Sequence, residues 1–209
     1  MVEDQRETIS QEVEDYALRF LKQGRDKWDV PHTKSVVHYA KEIAQAEGYD
    51  ILVAVTAAWF HDIGYFSLFN EEDTSTLSNV RDRKALHMEN GAKMAKAFFE
   101  RPEVAEKFTP QQKERIIHLV SVHDKVDELQ DLDELILMEA DTLGIIDISR
   151  VKPTYNRDDW IRFLESVKGR RAPRFLTTLG KKYLKELLPI AESYSDNFSP
   201  STPSTPEVK

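Results

Sequence analysis

The sequence predicts an all-α fold, and three observations predict it. Apolar residues recur at three- and four-residue spacing along most of the 209 residues. No stretch reads as a strand, because apolar and polar residues nowhere alternate for long enough. Helix start and stop signals stand at the ends of the periodic runs. Hydrophobic residues make up 40% of the chain, enough for a core, and charged residues 32%, an ordinary water-facing surface. The length suits one domain, or one domain with a lid.

The elements follow in order. Val13, Ala17, Leu18 and Leu21 mark a first helix, closed near Gly24. A second runs from about 33 to 47, with Val36, Val37, Ala40, Ile43 and Ala44 inward and Gly48 as its C-cap. Asp50 is placed to N-cap the third, Ile51 to Phe60, which is apolar except for Thr56. This third helix reads as the buried centre of a bundle, since a membrane span needs roughly 20 such residues. Residues 64–86 are polar and irregular and predict a long loop of the kind that serves as a lid or binding loop. A fourth helix spans about 87 to 100, with Gly91, Ala92 and Ala95 thinning one side for close approach. Thr109-Pro110-Gln111-Gln112 is the clearest start signal: Thr as cap, Pro at the first helical position and Gln three residues after the cap. The fifth helix runs from there to about His123, and a sixth spans Leu132 to Ile146. After Pro153, helices resume at about 157–167 and 175–194. The chain thus reads as a single helical domain over 1–195, with a core at about 15–150 and a C-terminal helical extension at 151–195. Residues 196–209, rich in Ser, Thr and Pro, are expected to form a disordered tail.

Composition excludes several classes. Without Cys there are no disulfides, no thiolate metal ligands and no Cys nucleophile. The first residues are acidic and polar, unlike a signal peptide, and no apolar run reaches membrane length, so the expected setting is cytoplasmic. A net charge of −8 argues against generic nucleic-acid binding, which relies on surplus Lys and Arg. Two local basic runs, Arg81-Asp82-Arg83-Lys84 and Lys168-Gly169-Arg170-Arg171, are either solvated surface or helpers in holding an anion. No feature specifies an oligomeric state.

The chemistry rests on His and Asp. There is no GxGxxG, P-loop, GxSxG or HExxH motif. His61-Asp62 directly follows the apolar third helix, at the edge of the core, where neither side chain is stable without a partner. A divalent cation would provide one, keeping the carboxylate ionised and taking a neutral imidazole nitrogen. Asp141 lies on the inner face of an otherwise apolar helix, with Ile136 and Leu137, and is either a ligand or a buried acid paired with Arg or Lys. His32 stands just before the second helix, where capping, exposure and ligation all fit.

Taken in order, His32, His61-Asp62 and Asp141 resemble the H…HD…D pattern of the HD superfamily of metal-dependent phosphohydrolases. Val30-Pro31-His32, leading an apolar-faced helix, resembles its first motif. Ala57-Ala58-Trp59-Phe60-His61-Asp62-Ile63-Gly64 resembles its AALLHDIG signature, and Glu139-Ala140-Asp141-Thr142-Leu143 its ADxL motif. The likeness covers roughly residues 15–150. It implies an HD-type helical bundle with His32, His61, Asp62 and Asp141 as metal ligands, and with His61 and Asp62 at the catalytic centre. Two imidazoles and two carboxylates suit Mn, Fe, Ni, Co or Zn better than Mg. The implied activity is hydrolysis of a phosphomonoester or phosphodiester, of a nucleotide or similar small molecule, by attack of metal-bound hydroxide.

Some HD proteins bind two metals through additional His residues. His87, followed by Gly91-Ala92 as in the family's HxxxGA motif, and His123, on the face of Ile116, Leu119 and Val120, stand in such places. Both are candidates for a second metal or a phosphate contact, with one ion favoured over two. His118 falls on an exposed side, and His38, beside core positions, reads as packing. Lys34, Arg83, Lys84, Lys125 and Arg150 are candidate phosphate contacts, and Glu89 a candidate acid or base. Tyr65, Phe66 and Phe69 either stack a base or anchor the loop. Asp124-Lys125 follows His123 where the HD-GYP branch carries a second His, and Ile63-Gly64-Tyr65 replaces the ED pair of the (p)ppGpp hydrolases, so neither activity is inferred. Two alternatives stand beside the hydrolase: an HD-fold di-iron oxygenase, which would need both His87 and His123, and a non-catalytic regulatory domain binding a nucleotide or metal.

Overall fold

A computed structural model describes residues 2–25, 28–66, 68, 69 and 76–196, with side chains from Ile9 to Tyr194 among them. Ten α-helices and no strand occur among the described residues: α1 (Val2–Leu21), α2 (Asp29–Ala46), α3 (Ile51–Phe60), α4 (Leu77–Asp82), α5 (Lys84–Phe99), α6 (Pro102–Ala105), α7 (Pro110–Val122), α8 (Leu132–Ile146), α9 (Arg157–Ser166) and α10 (Thr178–Asp196). A 3-10 turn, Ile63–Tyr65, follows α3, and a π-helical turn, Val167–Arg171, extends α9. Of the tail expected at 196–209, Asp196 instead ends α10, and residues 197–209 lie outside the described ones.

The apolar α3 is buried on nearly every side, through Val53, Ala54, Ala57, Ala58, Trp59 and Phe60. Helices α1, α2, α7 and α8 pack around it, and α5 packs on α7 and the 3-10 turn. Tyr16, Phe60, Phe98, Phe99 and Phe108 meet largely edge-to-face in the core, with ring centroids 4.8–6.5 Å apart.

The local signals act as their chemistry requires. Asp50 accepts from the backbone N–H of Leu52 (2.9 Å) and Val53 (3.3 Å). Thr109 and Gln112 close a capping box at α7, through bonds of 2.9 and 3.2 Å. Gly48 takes φ +66°, the left-handed conformation that ends α2 and that a side chain would strain.

Two expectations are corrected. The second helix begins at Asp29, so His32 lies in its first turn and not ahead of it. Pro31 is tolerated there because first-turn N–H groups have no intrahelical partner. The 64–86 loop is broken by α4, capped by the Thr76 side chain, and α5 begins at Lys84 rather than His87. His38 is half-buried and packs edge-on against Tyr39, 2.9 Å from Arg150, in keeping with its reading as packing.

Two buried acids tie the outer helices to the centre. The Glu139 carboxylate, on α8, accepts from the backbone N–H of Leu176 (2.5 Å) and Thr177 (3.0 Å) and from the Thr177 hydroxyl (2.5 Å). It therefore anchors the start of α10 two residues from Asp141. Glu139→Ala leaves those donors unsatisfied and is expected to cost about 2–4 kcal/mol, read as a lower urea midpoint. Asp133, at the start of α8, accepts from Tyr49 and from Arg115 Nε (2.5 Å). Burial pushes the Asp133 carboxyl up, but the Arg115 and Tyr49 hydrogen bonds outweigh it and hold the group below its usual value. A depressed carboxylate stabilises the fold above the ordinary Asp range and loses that contribution as pH falls through it. The stability gap between wild type and Arg115→Ala should therefore be about 1–2 kcal/mol near pH 7 and shrink towards pH 3 in denaturation curves at both pH values.

Candidate metal centre

Six buried side chains converge where helix ends meet: His32 from the first turn of α2, His61 and Asp62 after α3, His87 from α5, His123 after α7, and Asp141 from α8. His61 and His123 use one device. Each ends a helix, and each Nδ1 lies against a carbonyl three residues back, Ala58 at 2.7 Å and Val120 at 2.9 Å. With a proton assigned to Nδ1 from that partner, Nε2 is the nitrogen turned inward to the site. His32 stacks on Trp28, and His87 on Tyr65 with ring centroids 4.1 Å apart.

The donors form two groups. In the first, His32 Nε2 lies 3.2 Å from His61 Nε2, 3.2 Å from Asp141 Oδ1 and 3.5 Å from Asp62 Oδ2. His61 Nε2 lies 3.4 Å from Asp62 Oδ2 and 3.8 Å from Asp141 Oδ1. In the second, His87 Nε2 and His123 Nε2 are 3.1 Å apart, and 3.5 and 3.8 Å from Asp62 Oδ1. Asp62 thus offers one oxygen to each group. Metal–ligand bonds of about 2.1 Å put neighbouring donors about 3–3.4 Å apart in octahedral or tetrahedral shells, close to these separations. The donor chemistry fits as well. Facing imidazole nitrogens with converging carboxylate oxygens suit a borderline divalent cation. Among the described residues, His32 Nδ1 and His87 Nδ1 are buried without a hydrogen-bond partner, unlike those of His61 and His123.

Electrostatics separate the imidazoles. Burial opposes charge on His61, but Asp62 and Asp141 raise it to about 9. Burial and the neighbouring His123 push His87 down to about 3, and burial lowers His123 too. Asp62 and Asp141 are held well below the usual carboxylate range, against burial, by His61 and Arg25 for Asp62 and by Arg171 and His32 for Asp141.

Cations surround the donors. Arg25 bonds Asp62 Oδ2 (2.6 Å) and Asp29 Oδ1 (2.6 Å), with its guanidinium 4.0 Å from the Tyr65 ring centre. Lys84 bonds Asp124 (2.7 Å), and Arg171 bonds both Asp124 (2.9 Å) and Asp141 Oδ2 (2.8 Å). A cavity of about 60 Å³ opens beside the donors, bordered by Arg25, Trp28, Lys84, Tyr155, Phe163 and Arg171.

Of the candidate phosphate contacts, Lys84 borders this cavity. Lys34 is half-exposed opposite Glu14 at 3.5 Å. Arg83 bonds the carbonyls of Leu68 and Asn79 and covers the Phe69 ring. Lys125 lines a separate open groove across α5 and α7, and Arg150 lies against His38 and Asp147. Glu89 is exposed on Lys93, and His118 faces Glu134 at 2.6 Å. Tyr65 lies between His87 and Arg25, and Phe66 packs on Phe20, so both anchor the site's wall. Arg25, Asp29, Trp28 and Tyr155 carried no signal in the sequence, Asp124 stood only beside His123, and Arg171 was hidden within a basic run.

Neither the curated proteins nor the solved structures compared with this chain give a match. The HD domain family model matches residues 30–144, more than half of the chain. That span holds all six converging donors, and the chain belongs to the HD-domain superfamily.

Proposed function

We propose that this protein is a metal-dependent phosphohydrolase acting on a compact phosphate ester, with two divalent cations held by the six donors. The single observation that carries the reading is Asp62, whose two oxygens face two separate imidazole pairs. His32, His61, Asp62 and Asp141 would hold one cation, and His87, His123 and Asp62 the other. When bound, such cations lower the pKa of water into the neutral range and polarise a phosphoryl oxygen.

The chain's own residues supply the rest. Four carboxylates, Asp29, Asp62, Asp124 and Asp141, face the three cations Arg25, Lys84 and Arg171. Two divalent ions would leave this centre strongly positive, which favours an anionic phosphoryl group. Trp28, Tyr155 and Phe163 give the cavity an apolar wall, beside which electrostatic contacts are stronger than in water. The cavity of about 60 Å³ has room for a phosphoryl group, whereas pockets that enclose larger organic ligands hold about 300 Å³ or more. That favours small phosphomonoesters over whole nucleotides.

The test is phosphate release with added Mn²⁺ across a panel of small phosphomonoesters, phosphodiesters and nucleotides, with metal counted by mass spectrometry. Release from compact esters at two ions per chain is the expected result. The six-donor geometry also suits the di-iron oxygenase reading. Two irons per chain with substrate-dependent oxygen uptake and no phosphate release would replace the hydrolase by that reading.

A further inference from the structure

We propose that Arg171 is a positioning residue of the metal centre, through which the segment beyond the matched HD domain becomes part of the site. This rests on the metal-centre reading above.

Its neighbours make the contrast. In the run Lys168-Gly169-Arg170-Arg171, Lys168 pairs outward with Glu165 (2.6 Å) and Glu192 (3.1 Å). Arg170 pairs outward with Asp127 at 2.6 Å and has 59% of its side chain exposed. Arg171 turns inward, with 7% exposed. The backbone here is a π-helical turn, Val167–Arg171, closed by the Ala172 N–H on the Val167 carbonyl. Such turns are rare and concentrate at functional sites.

The fork of Arg171 grips both halves of the centre. Nη1 donates to Asp141 Oδ2 (2.8 Å) and to Thr142 Oγ1 (3.0 Å), and the Thr142 hydroxyl in turn donates to the Met138 carbonyl (2.7 Å). Nη2 donates to Asp124 Oδ1 (2.9 Å). Asp141 therefore has its outer oxygen locked while Oδ1 faces His32 and His61. Asp124 shares Oδ1 with Lys84 and turns Oδ2 towards His87, 3.9 Å away. One planar guanidinium thus fixes the carboxylate that completes the first donor group and the one that backs the second. A lysine would carry the charge but cannot reach both carboxylates as a fork.

The experiment is calorimetric titration of Mn²⁺ into metal-free full-length protein, with phosphate-release kinetics alongside. Arg171→Ala should weaken Mn²⁺ binding about 10- to 100-fold, and kcat should fall more than KM rises. Arg171→Lys keeps a cation in the buried site, so it decides the matter where the alanine variant does not fold; it should still bind about tenfold more weakly. Arg170→Ala, which removes an equal charge one residue away, should bind Mn²⁺ as wild type does. Wild-type affinity in Arg171→Lys, or equal weakening in Arg170→Ala, overturns the proposal. Absence of Mn²⁺ binding in the wild type itself would instead remove the metal-centre reading on which it rests.

Discussion

Replacing Asp62 with asparagine is expected to abolish cation binding at both donor groups and to lower phosphate release by more than the roughly 10- to 100-fold that an outer partner of a ligand contributes. The reason is that one carboxylate faces both groups. Oδ2 lies 3.4 and 3.5 Å from the His61 and His32 nitrogens, and Oδ1 3.5 and 3.8 Å from those of His87 and His123. An amide offers one weak oxygen donor in place of two charged ones. The fold should survive, because Arg25 keeps its bonds to Asp29 and the amide oxygen can still accept from it. Thermal melts give the cleanest readout. Cation at about 100 times its dissociation constant adds about 2.7 kcal/mol to the stability of a protein that binds it only when folded. Wild type should shift upward with Mn²⁺, Asp62→Asn should not move, and Asp141→Asn should keep the part contributed by the second group. A full Mn²⁺ shift in Asp62→Asn would show that the shared carboxylate is not the centre of the site.

The second large effect is expected from one methyl group. Gly64 sits in the 3-10 turn just after His61-Asp62, where α5 crosses it. A Cβ there would lie 1.9 Å from the His87 carbonyl oxygen and 2.5 Å from the Gly91 nitrogen, both backbone atoms that no rotamer change can move. Gly64→Ala must push α5 away from the turn and carry His87 with it. Destabilisation of about 3 kcal/mol or more is expected from such overpacking, measured by the urea midpoint. Metal counting adds a signature that general destabilisation lacks, namely loss of the second ion ahead of the first. Retention of wild-type stability would mean that α5 has room the geometry does not show.

Much of this was legible in local chemistry. The apolar Ile51–Phe60 run, the Thr109-Pro110-Gln111-Gln112 start and Asp50 ahead of the third helix each carry their own instruction within a few residues, and each forms as read. His32, His61, Asp62 and Asp141 were legible as a set through their order and motifs, and the structure brings them together. The short helix Leu77–Asp82 was not, because its composition is that of a loop, with Val80 the buried residue within it.

The sequence alone determined the helical class and, through its motifs, pointed to the HD family and to the candidate donors, because periodicity, caps and motifs are properties of neighbouring residues. Tertiary structure decided which charges face those donors. Arg25 meets Asp62 across 37 positions and Arg171 meets Asp141 across 30, while Lys34, Lys125 and Arg150, equally basic by sequence, end up elsewhere. A guanidinium carries no local mark of burial, since its environment is set by whichever helix folds over it.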